Sequence, residues 1–265
     1  MGRAQQPPAA AAARILLAPR SGTVGDRATL AVLDVNGRLT PGAKVLLSTG
    51  ERIRTDTTGR AAFVMPSEPG ILYASLAGRP GRIPIRVVSA GDSASLTVQS
   101  APRFANLADR FELSGNGFCG DADANHVTAG GLPALVLAAS SRSLVILPPP
   151  DLDPGPARVT LACGSRLPVS FSVSFVSLEL AAPAESLAPG ERRELLVRVG
   201  GTQERIALEA RNLAPEVAEL AGGTRVRLSS AGGAENSARL EIVGRKRGTI
   251  LVSIRLAPVY AAPRP

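Results

Sequence analysis

"RATLAVLDVNGRLTPGAKVLLS" (Arg27–Ser48) holds two short apolar runs on either side of a polar segment that turns the chain twice. Asn36-Gly37 offers a positive φ, where glycine carries no Cβ penalty, and Pro41-Gly42 presets one dihedral and then reverses direction. Eight residues rich in Val, Leu and Thr, a turn, and six more residues of the same kind predict two strands rather than a helix, whose apolar positions would recur every three or four residues.

The same grammar extends in both directions. "RILLAP" (Arg14–Pro19) precedes it, and "RAAFVM" (Arg60–Met65), "ILYASLA" (Ile71–Ala77), "IPIRVV" (Ile83–Val88) and "ASLTVQ" (Ala94–Gln99) follow, with further turns at Thr58-Gly59 and Pro69-Gly70. Seven short strands in under 100 residues predict a β-sandwich. "LDVNGRLTPGAKVLLS" (Leu33–Ser48) followed by "RTDTTGRAAFVMP" (Arg54–Pro66) resembles the invasin-type bacterial Ig-like and carboxypeptidase-regulatory-like domains. That resemblance covers residues 14–100 and implies a structural or adhesive sandwich without a catalytic site.

A second segment, 101–175, carries "FELSGNGFCG" (Phe111–Gly120), "VTAGGLPALVLAASSRSLVILPPP" (Val127–Pro150) and "GPARVTLACG" (Gly155–Gly164), which resemble the IPT/TIG domain in content and spacing. Gly115 and Gly117 read as backbone bends at the end of a sandwich. No helix follows them to present its N-terminus to a phosphate. A third segment, 176–258, alternates cleanly, with Leu195, Val197 and Val199 against Leu196 and Arg198, and Ile250, Val252 and Ile254 against Ser253 and Arg255. "NLAPEVAEL" (Asn212–Leu220) has the spacing of one helical turn and is read as a crossover between sheets. The expected fold is therefore all-β, three tandem immunoglobulin-like β-sandwich domains. Met1–Ala13 is a Pro/Ala-rich disordered leader without the leucine-rich core of a signal peptide, and 259–265 is a tail.

Composition narrows the function classes. Hydrophobic residues make up 45% of the 265, but only 3% are aromatic and Trp is absent, so the cores rest on Val, Leu, Ile and Ala and ring platforms for ligand stacking are scarce. The formal charge of +8 raises the question of nucleic acid. Residues 1–100 carry 12 basic and 6 acidic groups, 101–175 carry 5 and 6, and 176–265 carry 13 and 10, so no segment is a concentrated basic tract and the distribution argues against a nucleic-acid footprint. Among the 30 basic residues only Lys44 and Lys246 are lysines, a skew that GC-rich coding also produces. No apolar run reaches the roughly 18 to 20 residues that cross a bilayer as a helix.

Few residues carry the marks of chemistry. Cys119 and Cys163 both fall in the 101–175 segment, on stretches the expected fold could bring together; they form either a structural disulfide, which fits an oxidising compartment, or two buried thiols. His126 is the sole histidine, so neither a histidine triad nor a zinc set of two Cys and several His can be built. "DADAN" (Asp121–Asn125) starts like a calcium loop but has His126 and Leu132 where that loop needs Gly and Glu, so no metal and no cofactor is expected. Asp151 with Asp153 and Glu191 with Glu194 are the acid pairs available to a hydrolase, yet they sit in turns or at strand edges, where charge keeps an edge soluble. Arg225 and Arg227 read first as a solvent face and second as an anion stripe. The turn glycines Gly37, Gly59, Gly115 and Gly117 complete the candidate positions. The expectation is a non-catalytic secreted, periplasmic or cell-surface protein acting as a spacer, adhesion or recognition scaffold for protein or polysaccharide partners. The alternatives are a basic Ig-like nucleic-acid-binding module and the accessory domains of a carbohydrate-active system.

Overall fold

The computed structural model describes residues 14–91, 95–181 and 187–257. The expected leader and tail, Ala94, and residues 182–186 of the third segment lie outside these residues. Among the described residues the chain is all-β, with one 3-10 turn at Ala122–Ala124 and no α-helix. It divides into two compact units. One comprises the described residues of Met1–Ala101 with Phe111–Leu147 and Val159–Phe171, and the other those of Pro102–Arg110, Pro148–Arg158 and Ser172–Pro265.

The first unit opens with a sandwich. One sheet is β1 (Arg14–Leu17), β3 (Arg27–Asp34) and β6 (Arg60–Val64), all antiparallel with β3 central. The other has the order β2 (Ser21–Thr23), β8 (Ile83–Val88), β7 (Gly70–Leu76), β4 (Lys44–Leu47) and β5 (Arg52–Arg54). Strand β2 runs parallel to β8, so the first stretch of chain contributes to both sheets. This is the immunoglobulin connectivity: the first, second and fifth principal strands on one side, and the third, sixth and seventh on the other. Leu30, Val32, Val45, Phe63, Leu72 and Ile85 fill the space between the sheets.

Strand β3 is buried on both faces. Ala28, Leu30 and Val32 enter that core, whereas Ala31 and Leu33 join a second cluster with Leu17, Leu137, Ala138 and Val145. The second cluster comes from β13 (Leu132–Ala139) and β14 (Ser143–Leu147), so the outer face of the β1-β3-β6 sheet is covered within the same unit. A strand buried on both sides reads as a continuous apolar run rather than an alternation, which explains "ATLAVL".

A second sandwich completes this unit. Strand β9 (Thr97–Ser100) pairs with β11 (Phe111–Asn116), which pairs with β14, which pairs with the C-terminal half of β13. The N-terminal half of β13 pairs instead with β12 (Asn125–Ala129), and β12 with β15 (Gly155–Cys163). Strand β13 changes sheet between Ala134, which pairs with β12, and Leu135, which pairs with β14, and a register shift between Val136 and Ala138 follows as the strand turns the sandwich corner. The "ASLTVQ" run, expected as the seventh strand of the first sandwich, pairs in β9 with the second one. Short alternating strands at a linker look the same whichever neighbour they join.

The other unit is a four-on-three sandwich. Strands β16 (Val169–Ala181, from Ser172), β17 (Arg192–Gly200), β21 (Ser237–Gly244) and β19 (Ala218–Leu220) form one sheet; β20 (Arg225–Ser229), β18 (Ala207–Asn212) and β22 (Val252–Leu256) form the other. Leu208, Val197 and Val199 anchor one end of its core and Leu195, Leu240 and Ile242 the other. Strand β10 (Phe104–Asn106) adds to β16 in parallel. The anticipated crossover contains a single turn, closed by Val217 and Ala218 amides donating to the Ala214 carbonyl, and then enters β19.

Candidate functional site

Two places in the fold assemble polar side chains: a cleft in the first unit and the outer sheet faces of the second.

The cleft begins with a loop. After β11, Gly117 adopts φ +70° and the chain runs through Cys119 to Asn125, where β12 starts. Cys119 is joined to Cys163 on β15 by a disulfide, with the Cα atoms 5.7 Å apart. Buried Asn125 holds the loop from inside: its Oδ1 accepts from the Cys119 amide at 3.0 Å, and its Nδ2 donates to the Cys119 and Asp121 carbonyls, both at 2.8 Å. Asp121 caps the 3-10 turn by accepting from the Asp123 amide.

This loop docks on the first sandwich. The Thr29 hydroxyl donates to the Gly120 carbonyl at 2.8 Å and accepts from the Ala122 amide at 3.3 Å. Arg60, 8% exposed in its side chain, donates to the Val136 carbonyl at 2.7 Å and meets the Asp123 carboxylate at 3.2 Å. Its Nε is buried without a partner among the described residues. A buried guanidinium with one exposed counterion stabilises little by itself, but it fixes which surfaces meet. Beside the loop lies a cleft of about 630 Å³ bordered by Thr23, Arg27, Asn116, Asp121, Arg142 and Arg166. Arg142 donates from Nε to the Thr23 hydroxyl at 3.4 Å, and Arg166 donates to Cys163 Sγ at 3.0 Å. Gly117 and Cys119 also border it, so three of the sequence candidates converge there.

The remaining glycines divide into turns and a close approach. Asp34-Val-Asn-Gly37-Arg38 and Asp56-Thr-Thr-Gly59-Arg60 are the same device used twice. In each, the aspartate Oδ1 accepts from the amides two and four residues on, and its carbonyl accepts from the glycine amide. Gly37 and Gly59 have φ of +77° and +75°, a region that costs an L residue strain. At Gly115 the constraint is steric, because a Cβ would run into the Thr97 carbonyl oxygen of β9. The Thr58 hydroxyl and amide, with the Arg60 amide, hold the Asp56 carboxyl below its usual range. Glu191 is lowered likewise, by the Ala188 amide and then by Arg193.

The other candidates stay apart. His126 is exposed on β12 opposite Ala162, and among the described residues no three His, Cys, Asp or Glu side chains cluster as a metal site would require. Asp151 and Asp153 lie in the loop before β15, Glu191 sits in the turn before β17, and Glu194 points from β17 toward Arg239. Arg225 and Arg227 stand on the outer face of β20. The register places Arg211 opposite Arg225, and Glu209 between Arg227 and Arg255. Arg211 and Arg255 were not legible as members of this group, because 14 and 28 positions separate them from Arg225 and Arg227 respectively and only strand pairing unites them. Among the described residues no helix is long and apolar enough to cross a membrane.

No family model matches the chain, and no curated protein matches it. Among solved structures it is similar to the Bacteroides ovatus mixed-linkage glucan utilization locus SGBP-B, solved with a mixed-linkage heptasaccharide, at 16% identity over 89% of this chain and 73% of that one, TM-score 0.37. It is also similar to immunoglobulin domains 1–5 of Sidekick-1, at 12% identity over 88% of this chain and 61% of that one, TM-score 0.28. Domains 4 and 5 of the S-layer protein SbsC share 15% identity over 55% of this chain and 75% of that one, TM-score 0.23. Likenesses at these scores carry no argument about function, and the immunoglobulin reading rests on the strand order described above.

Proposed function

We propose that this chain is a non-catalytic modular scaffold, secreted, periplasmic or displayed at the cell surface, whose sandwiches space and present recognition surfaces for a protein or polysaccharide partner. It comprises three immunoglobulin-like domains, read from the sequence as 14–100, 101–175 and 176–258, with β9 (Thr97–Ser100) moved from the first to the second. The second is IPT/TIG-like. The observation that carries the reading is the Cys119–Cys163 disulfide, which ties the loop bordering the cleft to a sheet strand. Cystines persist in oxidising compartments, and a cross-linked loop clamped by Asn125, Thr29 and Arg60 is a surface held in one shape before any partner arrives.

The test is chemical. Intact cells producing the full chain are treated with a membrane-impermeant amine reagent, then lysed into a thiol-blocking reagent, and the chain is analysed by mass spectrometry with and without reductant. Labelling of Lys44 or Lys246 together with cysteines that react only after reduction supports the reading. An unlabelled chain with two freely reactive thiols overturns it.

A further inference from the structure

The two outer faces of the Ser172–Leu256 sandwich are charged in opposite styles. On the four-stranded side the outward residues of β16, β17, β21 and β19 include Glu179, Glu194, Glu219 and Glu241 with Arg192, Arg198 and Arg239. These charges neutralise one another: Arg192 meets Glu241 at 3.3 Å, Arg239 meets Glu194 at 3.5 Å, and Arg245, just beyond β21, meets Glu219 at 2.5 Å. On the three-stranded side the outward rows are Arg225–Arg211–Ser253, then Arg227–Glu209–Arg255, then Ser229 beside Ala207. Four arginines surround one glutamate. Arg225 reaches Glu209 at 3.4 Å, while Arg211, Arg227 and Arg255 meet no carboxylate among the described residues.

Such an array is not the ordinary charged surface that keeps a sheet soluble, for which the four-stranded side is the example. Arg211 faces Arg225 directly across the strand pair, and like charges so placed destabilise a sheet. An anion lying between them removes that repulsion. The guanidiniums are spaced by the sheet itself, about 5 Å between strands and about 7 Å along a strand, and each presents a planar fork suited to carboxylate or sulfate oxygens.

We infer that the outer face of the β20-β18-β22 sheet binds an acidic polysaccharide, a polymer of sugars carrying carboxylates; this rests on the scaffold reading above and names its ligand class. Charge complementarity selects a polyanion, and the remaining side chains select the sugar. Glu209 sits among the arginines as a half-buried acceptor, and Ser229 and Ser253 flank it with hydroxyls, a set that serves a ligand offering both anionic groups and hydroxyl donors. A phosphate backbone offers Glu209 only repulsion, and among the described residues the face has no aromatic ring on which bases could stack. Its exposed apolar side chains among the described residues are Leu213 and Leu251, paired just beyond the ends of β18 and β22 rather than spread along a face as a lipid surface requires.

Calorimetric titration of the full chain at low salt with polygalacturonate, dextran, duplex DNA and vesicles containing phosphatidylglycerol tests this. Binding to polygalacturonate but not dextran is expected. Arg211→Ala with Arg227→Ala weakens it by about tenfold or more, whereas Arg192→Ala with Arg239→Ala on the opposite sheet leaves it unchanged. Glu209→Gln weakens polygalacturonate binding while strengthening any binding to DNA. Both double variants alter exposed side chains, and unchanged thermal melts establish that they fold. No polygalacturonate binding, equal losses in the two double variants, or tighter binding to DNA or vesicles overturns the inference. Surface labelling of intact cells is a separate readout, so loss of this ligand would leave the scaffold reading standing.

Discussion

The sheets β19-β21-β17-β16 and β20-β18-β22 back the same core and are built from the same few residue types, yet one outer face is charge-balanced and the other is not. On the first, Glu194 stands opposite Glu241, and each is neutralised diagonally by Arg239 and Arg192 respectively. On the second, Arg211 stands opposite Arg225 with only Glu209 to share. Stability alone is served by the first arrangement. The second gives up a little stability for a field that points outward, and this is the physical mark of a surface kept for something outside the chain.

The largest effect should come from the shared core. Leu208, fully buried on β18, holds the arginine-bearing strand against β17, and Leu208→Ala should cost about 2 to 5 kcal/mol in urea unfolding while abolishing anion binding. Leu240→Ala on β21 should cost a similar amount, since both faces depend equally on what lies between them.

In the first unit one charged group, Arg60, turns inward to help hold a loop, and the loss of one uncharged side chain should also be felt there. Asn125→Ala removes three hydrogen bonds at a buried position and should destabilise by about 1 to 3 kcal/mol, with faster proteolysis between Cys119 and Asn125 as the second readout.

The face comparison itself predicts opposite signs. At low salt Arg211→Thr should raise stability by about 0.2 to 1 kcal/mol by removing a like-charge pair, and Arg239→Thr should lower it by about the same by removing an ion pair. Added salt should shrink both differences. Equal signs in urea titrations would erase the distinction between the faces.

The smallest effect concerns protons. Asp56 titrates below its usual 3.8 because Thr58 and Arg60 donate to its carboxylate. A carboxyl depressed in the folded state contributes stability above its unfolded value, and that contribution is lost as pH falls below 3.8 and through the folded value. Asp56→Asn should therefore lower stability slightly near neutrality and flatten the acid limb of a stability-against-pH curve, the two proteins converging at the acid end.

Much of the architecture was legible because strands announce themselves locally. The D-x-x-G-R turns at Asp34 and Asp56 contain their own hydrogen-bond partners, and the alternation of Leu195, Val197 and Val199 assigns a buried side without reference to any other strand. The short edge pieces β2, β5 and β10 were not anticipated, since three residues are too few to show a period. Strand β9 was assigned to the wrong neighbour for a related reason: alternation says which side of a strand is buried, not which strand lies beside it. The cleft was half visible, through Gly117, Cys119 and Asp121. Arg27, Arg142 and Thr23 reach it only because the first two sandwiches meet there.

By itself, then, the sequence determined the all-β class, the turns and the two cysteines, because each depends on residues within a few positions or on the chemistry of a single side chain. Only the tertiary structure decided that β3 is buried on both faces, that Arg60 is buried against Val136, and that Arg211, Arg225, Arg227 and Arg255 share one face. Those facts depend on register between strands far apart in the chain. A shift of one residue would have sent the same arginines to the opposite side of the sheet.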